Sequence, residues 1–197
     1  ISEAFRSLRT SLEFYSIDQP LRILLLTSPA PEEGKTTVAI NLAAILAKSN
    51  KKVLLLDADL RRPNVHSQLG YSNRVGLSDV ILGRLDIDDV IQKVQEIDNL
   101  SVVTSGSLPP NPAELLNSKK MYEIIDDLME KFDMIIMDTP PAIVTDAQTL
   151  STRADGVLYV LQPGKTRAVA AKMPINEFQR VGANIVGVVF NRIPKNR

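Results

Sequence analysis

The chain has 197 residues, of which 44% are hydrophobic and 23% are charged, as in an ordinary globular domain. Its 23 Lys and Arg residues balance its 23 Asp and Glu residues, so the net charge gives no indication of nucleic-acid binding. The absence of Cys excludes disulfides, thiolate metal sites and a Cys nucleophile. No apolar run approaches the ~18–20 residues that span a bilayer, and no secretory signal is visible. Because the chain begins at Ile1 rather than Met, we interpret it as an excised domain.

Short apolar segments alternate with helical patterns along the chain. The apolar segments predict strands at residues 21–27, 52–57, 100–104, 133–138, 156–162 and 184–191. Most are continuously apolar, as is typical of strands that are buried on both faces of a parallel sheet. Apolar residues at helical spacing predict helices at residues 36–49, 121–131 and 166–181, and Pro174 should kink the last helix or end its first part. The alternation predicts one α/β domain with a three-layer, doubly wound, mostly parallel sheet and right-handed crossovers.

A phosphate-binding loop is indicated directly after the first predicted strand. Gly34, Lys35 and Thr36 are the last three residues of the pattern GxxxxGK[ST], although Pro29 stands in place of its first glycine. A strand precedes this tripeptide and a helix follows it, as phosphate binding by such a loop requires. The residues predicted to bind the nucleotide are Glu33, Gly34, Lys35, Thr36 and Thr37.

Acidic residues follow two further predicted strands. Asp57 is the last residue of the second predicted strand, and Asp59 lies two residues beyond it. Asp138 is the last residue of the fourth predicted strand. Asp is also common in turns, but two carboxylates this close repel unless a cation lies between them, and Arg61, Arg62 and Mg²⁺ are candidates. Ligands of doubly wound sheets bind at the carboxyl ends of the strands, where the phosphate loop is also expected. These patterns predict an enzyme that acts on a nucleoside triphosphate, with a Mg²⁺ shell built from Thr36, Asp57, Asp59 and Asp138.

The N-terminal segment has charged residues at helical spacing. Glu3, Arg6 and Arg9 lie three residues apart and would share one face of a helix. The spacing alone is compatible with a solvated helix face that carries a weak ion pair.

Five segments, read in chain order, carry a more specific pattern. They are residues 3–10 (EAFRSLRT), 55–63 (LLDADLRRP), 76–80 (GLSDV), 109–116 (PPNPAELL) and 138–141 (DTPP). Together they closely resemble the bacterial tyrosine kinases, which are cytoplasmic autokinases linked to capsule and exopolysaccharide synthesis. The resemblance covers nearly the whole chain and implies the fold of the partition and septum-site ATPases. It implies a kinase domain at residues 1–197, within which residues 1–20 form an oligomerisation helix.

The resemblance also implies a role for each matching residue. Lys35 would contact the β- and γ-phosphates of ATP, and Asp57 would take the proton of the acceptor tyrosine. Asp59 and Asp138 would hold Mg²⁺ and its waters, so Lys35, Asp57 and Asp59 are the expected catalytic residues. Asn191, at the end of the last predicted strand, would lie near the adenine.

The implied partners are other copies of the chain and a membrane protein. The first segment matches the family's EX₂RX₂R motif, so Glu3, Arg6 and Arg9 would cross to a neighbouring subunit. A transmembrane activator or adaptor domain, fused or separate, would hold the kinase at the inner, cytoplasmic face of the cell membrane. No nucleic-acid partner is expected.

Two departures from the family's pattern leave other functions open, whereas a third feature favours the kinase. Glu32 stands where the family has glycine, which removes conformational freedom and adds a negative charge near the phosphates. The chain ends at Arg197 without the tyrosine-rich tail that receives phosphate in this family. Ala30 stands where partition ATPases carry a signature lysine, which favours the kinase. The alternatives are a partition-type ATPase switch and a degenerate nucleotide-binding scaffold.

Overall fold

The fold is a seven-stranded sheet flanked by helices, and the computed structural model describes residues 3–165 and 168–193. The strands follow the order β3-β4-β2-β5-β1-β6-β7, and every neighbouring pair is parallel except β3 with β4. Their bounds are β1 (Ile23–Thr27), β2 (Val53–Asp57), β3 (Gln92–Lys93), β4 (Leu100–Val103), β5 (Met134–Asp138), β6 (Gly156–Leu161) and β7 (Ile185–Phe190). The predicted three-layer, doubly wound α/β architecture is therefore confirmed, and the short antiparallel β3 is an addition to it.

The helices connect the strands across the two faces of the sheet. They are α1 (Glu3–Asp18), α2 (Lys35–Ala47), α3 (Val65–Leu69), α4 (Leu77–Ile81), α5 (Ile87–Val90), α6 (Pro112–Leu116), α7 (Lys119–Lys131), α8 (Thr145–Ser151) and α9 (Ala168–Arg180). Helix α9 continues through Pro174, so the prediction that this proline ends the first part of the helix is wrong. The predicted start of that helix, at residues 166 and 167, lies outside the described residues.

Two hydrophobic clusters fill the space between the sheet and its helices. Side chains alternate along a strand, so Ile23 and Leu25 pack in one cluster while Leu24 and Leu26 pack in the other. All four are at most 3% exposed. This double burial explains why the central strands are continuously apolar in sequence. The edge strand β7 is only partly buried.

The register of the central strands determines where polar side chains emerge. Asp57 of β2 pairs with Asp138 of β5, and Asp138 also pairs with Leu26 of β1. The carboxyl ends of three neighbouring strands therefore meet at one edge, directly beside the loop that joins β1 to α2. Within the described ranges, no helix is both long and apolar enough to cross a membrane.

Candidate active site

The loop between β1 and α2 ends in a glycine with a positive backbone angle. Gly34 has φ of 85° and precedes Lys35, the first residue of α2. A Cβ at this position would lie 2.0 Å from Nδ2 of Asn191, so the close approach of the two segments requires glycine. Nδ2 of Asn191 also donates a hydrogen bond to the carbonyl oxygen of Glu33 (2.9 Å). The residue that follows β7 thus packs against the phosphate loop and stabilises it.

Lys35 and Thr36 converge on a single carboxylate. Nζ of Lys35 lies 2.7 Å from Oδ1 of Asp138, and Oγ1 of Thr36 donates to Oδ2 of Asp138 at 2.7 Å. The side chains of Lys35 and Asp138 are only 9% and 1% exposed. Burial raises the pKa of Asp138, whereas Lys35 and the hydrogen bonds oppose that rise. The structure therefore joins three of the predicted site residues in one contact.

Asp57 lies beside this contact but does not line the cleft. It is fully buried, and its carboxylate accepts the N–H groups of Asp59 (3.2 Å) and Val65 (3.1 Å). Burial and the neighbouring Asp138 raise the pKa of Asp57 to about 8, and Lys35 opposes the rise. Asp57 therefore shapes the turn that follows β2, and it reaches the cleft only through its neighbours.

Asp59 organises the loop that follows β2. Its Oδ1 accepts the backbone N–H groups of Arg61 (3.2 Å) and Arg62 (2.9 Å). The side chain of Arg61 instead forms a two-pronged pair with Asp146, with Nε–Oδ2 of 2.7 Å and Nη2–Oδ1 of 3.0 Å. Arg61, one of the three candidate cations for Asp57 and Asp59, is therefore held mainly by Asp146, and the charge of Asp59 also acts on it. Asp146 fixes the loop from the first turn of α8 and was not found from the sequence, because a single acid in a short helix carries no distinctive pattern.

These elements enclose a cleft of about 650 Å³ at the carboxyl edge of the sheet. Its walls include Gly34, Lys35, Thr36, Thr37 and Asp59 from the predicted site. The rest of its lining comes from the loops around that site: Ser28, Pro31, Glu32, Arg61, Arg62, Pro63, Asn64, Gln68, Pro140, Pro141, Ile143, Val144 and Arg192. A cleft of this size accommodates a small-molecule ligand such as a nucleotide.

Glu33 and Glu32 differ sharply in burial. The Glu33 side chain is buried, and its Oε2 accepts the backbone N–H of Gln162. The Glu32 side chain is 87% exposed, and its backbone is left-handed with φ of 63°. The left-handed conformation that disfavours a non-glycine residue is therefore present, and the Glu32 carboxylate lies 3.6 Å from Nζ of Lys165.

The oxygen donors at the cleft suit Mg²⁺ only in part. Across residues 3–165 and 168–193, no three acidic or His side chains are arranged to hold a metal ion by themselves. Mg²⁺ is usually bound by one or two carboxylates together with phosphates and water, not by a cage of protein ligands. Thr36 and Asp138, in contact beside the cleft, match that incomplete set.

The N-terminal charges lie on the surface of α1. Arg6 is 3.3 Å from Glu3, whereas Arg9 lies 3.5 Å from Glu13, one turn further along the helix. Glu3 and Arg6 are 84% and 61% exposed. Glu3 and Arg6 are therefore accessible to another molecule, whereas the Arg9 side chain is only 28% exposed.

A parallel sheet with a phosphate loop after β1 and acids after β2 and β5 defines a P-loop nucleoside triphosphatase fold. In agreement, a family described as an AAA domain (AAA_31) matches residues 33–184. The septum-site-determining protein MinD of Pyrococcus horikoshii, solved in complex with Mg-ADP, is 26% identical, with a TM-score of 0.76. The alignment covers 89% of this chain and 72% of that one.

Two further comparisons identify the branch of that fold. The chain is 42% identical over 191 residues to the tyrosine-protein kinase YwqD of Bacillus subtilis, covering 96% of this chain and 80% of YwqD. The solved kinase domain of the Escherichia coli tyrosine kinase ETK superposes with a TM-score of 0.91 at 36% identity, over 99% of this chain and 78% of that one. The chain belongs to the bacterial tyrosine-protein kinase family. It spans only 27% of the full length of Etk, and it is 37% identical to that part.

Proposed function

We propose that the chain is a Mg-ATP-dependent protein-tyrosine autokinase that phosphorylates tyrosines of neighbouring subunits and regulates capsule or exopolysaccharide synthesis or export. The convergence of Lys35 and Thr36 on Asp138 carries this proposal, because it assembles a phosphate-binding cation, a hydroxyl and an acid at one edge of the cleft. Because the chain belongs to a family of tyrosine-protein kinases, the proposed acceptor of the phosphoryl group is a tyrosine hydroxyl.

Positioning and charge stabilisation account for most of the catalysis of phosphoryl transfer. Lys35 would hold the β- and γ-phosphates, while Glu33, Gly34, Thr36 and Thr37 would surround them with backbone N–H groups at the start of α2. Asn191 would lie near the adenine, as the family resemblance implies, and its Nδ2 also holds the phosphate loop by donating to the carbonyl oxygen of Glu33.

The acids would divide between the metal and the acceptor. Thr36, Asp59 and Asp138 would contribute oxygen ligands directly or through water, and Mg²⁺ would neutralise charge on the phosphates. Asp57 would orient the acceptor hydroxyl and take its proton. That role requires the turn after β2 to rearrange, because Asp57 is occupied by the N–H groups of Asp59 and Val65.

Assembly with other molecules is part of the proposal. Glu3, Arg6 and Arg9 on α1 would bind a second copy of the chain, so that one subunit presents its tyrosines to the next. A transmembrane activator or adaptor, fused or separate, would hold the domain at the cytoplasmic face of the membrane. Because the chain spans only 27% of Etk, that relative is long enough to include a fused partner of this kind.

A partition-type ATPase switch is the second candidate function, and the likeness to MinD favours it. The two functions differ in the phosphate acceptor, which is a tyrosine hydroxyl in a kinase and water in a switch. A degenerate scaffold is less well supported, because the Glu32 side chain is 87% exposed and its Oε2 lies 3.6 Å from Nζ of Lys165, which offsets part of its negative charge.

The decisive experiment supplies the acceptor in trans. The chain is incubated with Mg-ATP and a tyrosine-rich peptide, and phosphotyrosine and ADP are both quantified. A matched peptide with Phe in place of each Tyr is the control. Phosphotyrosine that accumulates with ADP on the Tyr peptide alone is the expected result. ADP at the same rate with both peptides and no phosphotyrosine would establish the switch instead.

A further inference from the structure

Lys165 and Arg192 bind the phosphate loop at Glu32, its one residue with an unfavourable backbone conformation. Glu32 has a left-handed backbone with φ of 63°, which is strained for a non-glycine residue. We propose that Lys165 and Arg192 are positioning residues that hold this conformation and so replace the conformational freedom of a glycine at position 32. This inference rests on the proposed nucleotide site, and it assigns two residues that neither the motif nor the catalytic set contains.

Lys165 holds the first carbonyl of the loop. Its Nζ lies 2.9 Å from the carbonyl oxygen of Pro31 and 3.6 Å from Oε2 of Glu32. The Lys165 side chain is only 33% exposed, although it comes from the loop after β6. An exposed ion pair of this length contributes little, so the contact with the backbone carbonyl is the significant one.

Arg192 holds the next carbonyl. Its Nη1 donates to the carbonyl oxygen of Glu32 (3.1 Å) and to Oε1 of Gln162 (3.3 Å). Gln162 in turn donates its backbone N–H to the buried carboxylate of Glu33. The loops after β6 and β7 therefore bind three successive residues of the phosphate loop, Pro31, Glu32 and Glu33.

These contacts fix the direction of the peptide groups. In a trans peptide the N–H points opposite to the carbonyl, so cations on the carbonyls of residues 31 and 32 direct the next two N–H groups away from those cations. A phosphate-binding loop needs its N–H groups aligned toward one side and its carbonyl oxygens turned elsewhere. Lys165 and Arg192 would produce that alignment through their contacts with the two carbonyl oxygens.

Lys165 provides the cleaner test, because Arg192 lines the cleft and Lys165 does not. We expect Lys165→Met to weaken ADP binding in calorimetry about fivefold, the equivalent of roughly 1 kcal/mol. The same variant should accelerate amide hydrogen exchange in residues 30–37 when no nucleotide is added. Lys165→Arg should restore both, because a guanidinium can reach the same carbonyl. Lys119→Met is the matched control, since Lys119 forms a comparable 3.5 Å pair with Glu123 on α7.

A double-mutant cycle shows whether Lys165 acts on the backbone of the loop or only forms an ion pair with Glu32. In a Glu32→Gly background the loop adopts φ of about 60° without strain, so Lys165→Met should change ADP affinity less than twofold. In a Glu32→Gln background the strain remains and the charge is gone, so Lys165→Met should keep its full effect. An equal effect in the wild-type and Glu32→Gly backgrounds would overturn the proposal, as would unchanged exchange and affinity in Lys165→Met. If the wild-type chain binds no ADP but Lys165→Met still accelerates hydrogen exchange, the proposed function is wrong. The proposal that Lys165 holds the loop conformation is then still supported.

Discussion

Lys35 and Asp138 form a buried ion pair, with 2.7 Å between Nζ and Oδ1. Asp57 is the register partner of Asp138 on the neighbouring strand, so one lysine lies beside two buried carboxylates. The Lys35 side chain is therefore buried against carboxylates as well as placed at the cleft. Lys35 contributes to the stability of the domain as well as to its proposed chemistry.

The first prediction concerns this double role. Lys35→Met should abolish phosphoryl transfer and should also destabilise the fold by on the order of 3 kcal/mol, because it leaves buried carboxylates without a cation. Urea unfolding and a phosphotyrosine assay measure the two effects. The double variant Lys35→Met, Asp138→Asn should recover part of the stability and none of the activity. Wild-type phosphotransfer in Lys35→Met would show that the site is wrongly assigned.

The second prediction separates the roles of the two acids after β2. Asp57→Asn should lower kcat much more than ATP affinity, since Asp57 is proposed to orient and deprotonate the acceptor and not to hold the nucleotide. Asp59→Asn should mainly weaken the binding of Mg-nucleotide, because Asp59 lines the cleft. Steady-state kinetics and calorimetry on both variants provide the comparison. If Asp57→Asn mainly weakens ATP binding, Asp57 is a metal ligand and not the base.

The third prediction concerns self-association through α1. Arg6→Ala combined with Arg9→Ala should give smaller particles in analytical ultracentrifugation of the chain extended by a tyrosine-rich C-terminal segment. Arg180→Ala is a suitable control, because Arg180 forms an exposed pair with Glu177 at the same i, i+3 spacing. An unchanged mass in the double variant would reduce α1 to an ordinary solvated helix.

The sequence predicts the central strands closely because burial on both faces makes them continuously apolar. Their observed ends differ from the predicted ones by at most two residues, as at β1, which begins at Ile23. Strand β3 consists only of Gln92 and Lys93, which carry no apolar signal, and it forms by pairing with β4. The helices that were missed, such as α3 and α8, have five and seven residues and are too short to establish a helical period.

The sequence also predicts where the site residues lie, but not which way they point. The strand ends bring Asp57 and Asp138 to the same edge because parallel strands align their carboxyl ends. The orientation of Arg61 depends instead on Asp146, which is distant in sequence and close only after α8 packs beside the loop. Such a contact has no local pattern and is set by the tertiary structure.

The last prediction tests that contact. Asp146 is buried and accepts two hydrogen bonds from Arg61, so Asp146→Ala removes a charge-assisted, two-pronged pair from the loop that carries Asp59. Hydrogen bonds between charged groups contribute on the order of 2 kcal/mol, which for a chain of this length corresponds to a fall in Tm of about 4–8 °C. Asp126→Ala is the matched control, because Asp126 pairs with Arg153 at 3.2 Å on an exposed surface, and its loss should shift Tm by about 2 °C or less.

Activity should respond to Asp146 as well as stability. Since Arg61 and Arg62 both donate backbone N–H groups to Asp59, release of the Arg61 side chain loosens the segment that is proposed to bind the metal. We therefore expect Asp146→Ala to weaken the binding of Mg-ADP at temperatures well below its Tm, and Asp126→Ala to leave it unchanged. Calorimetry at 15–20 °C below the lower Tm isolates this effect from unfolding. Equal affinities in the two variants would mean that the pair between Arg61 and Asp146 stabilises the fold without positioning Asp59.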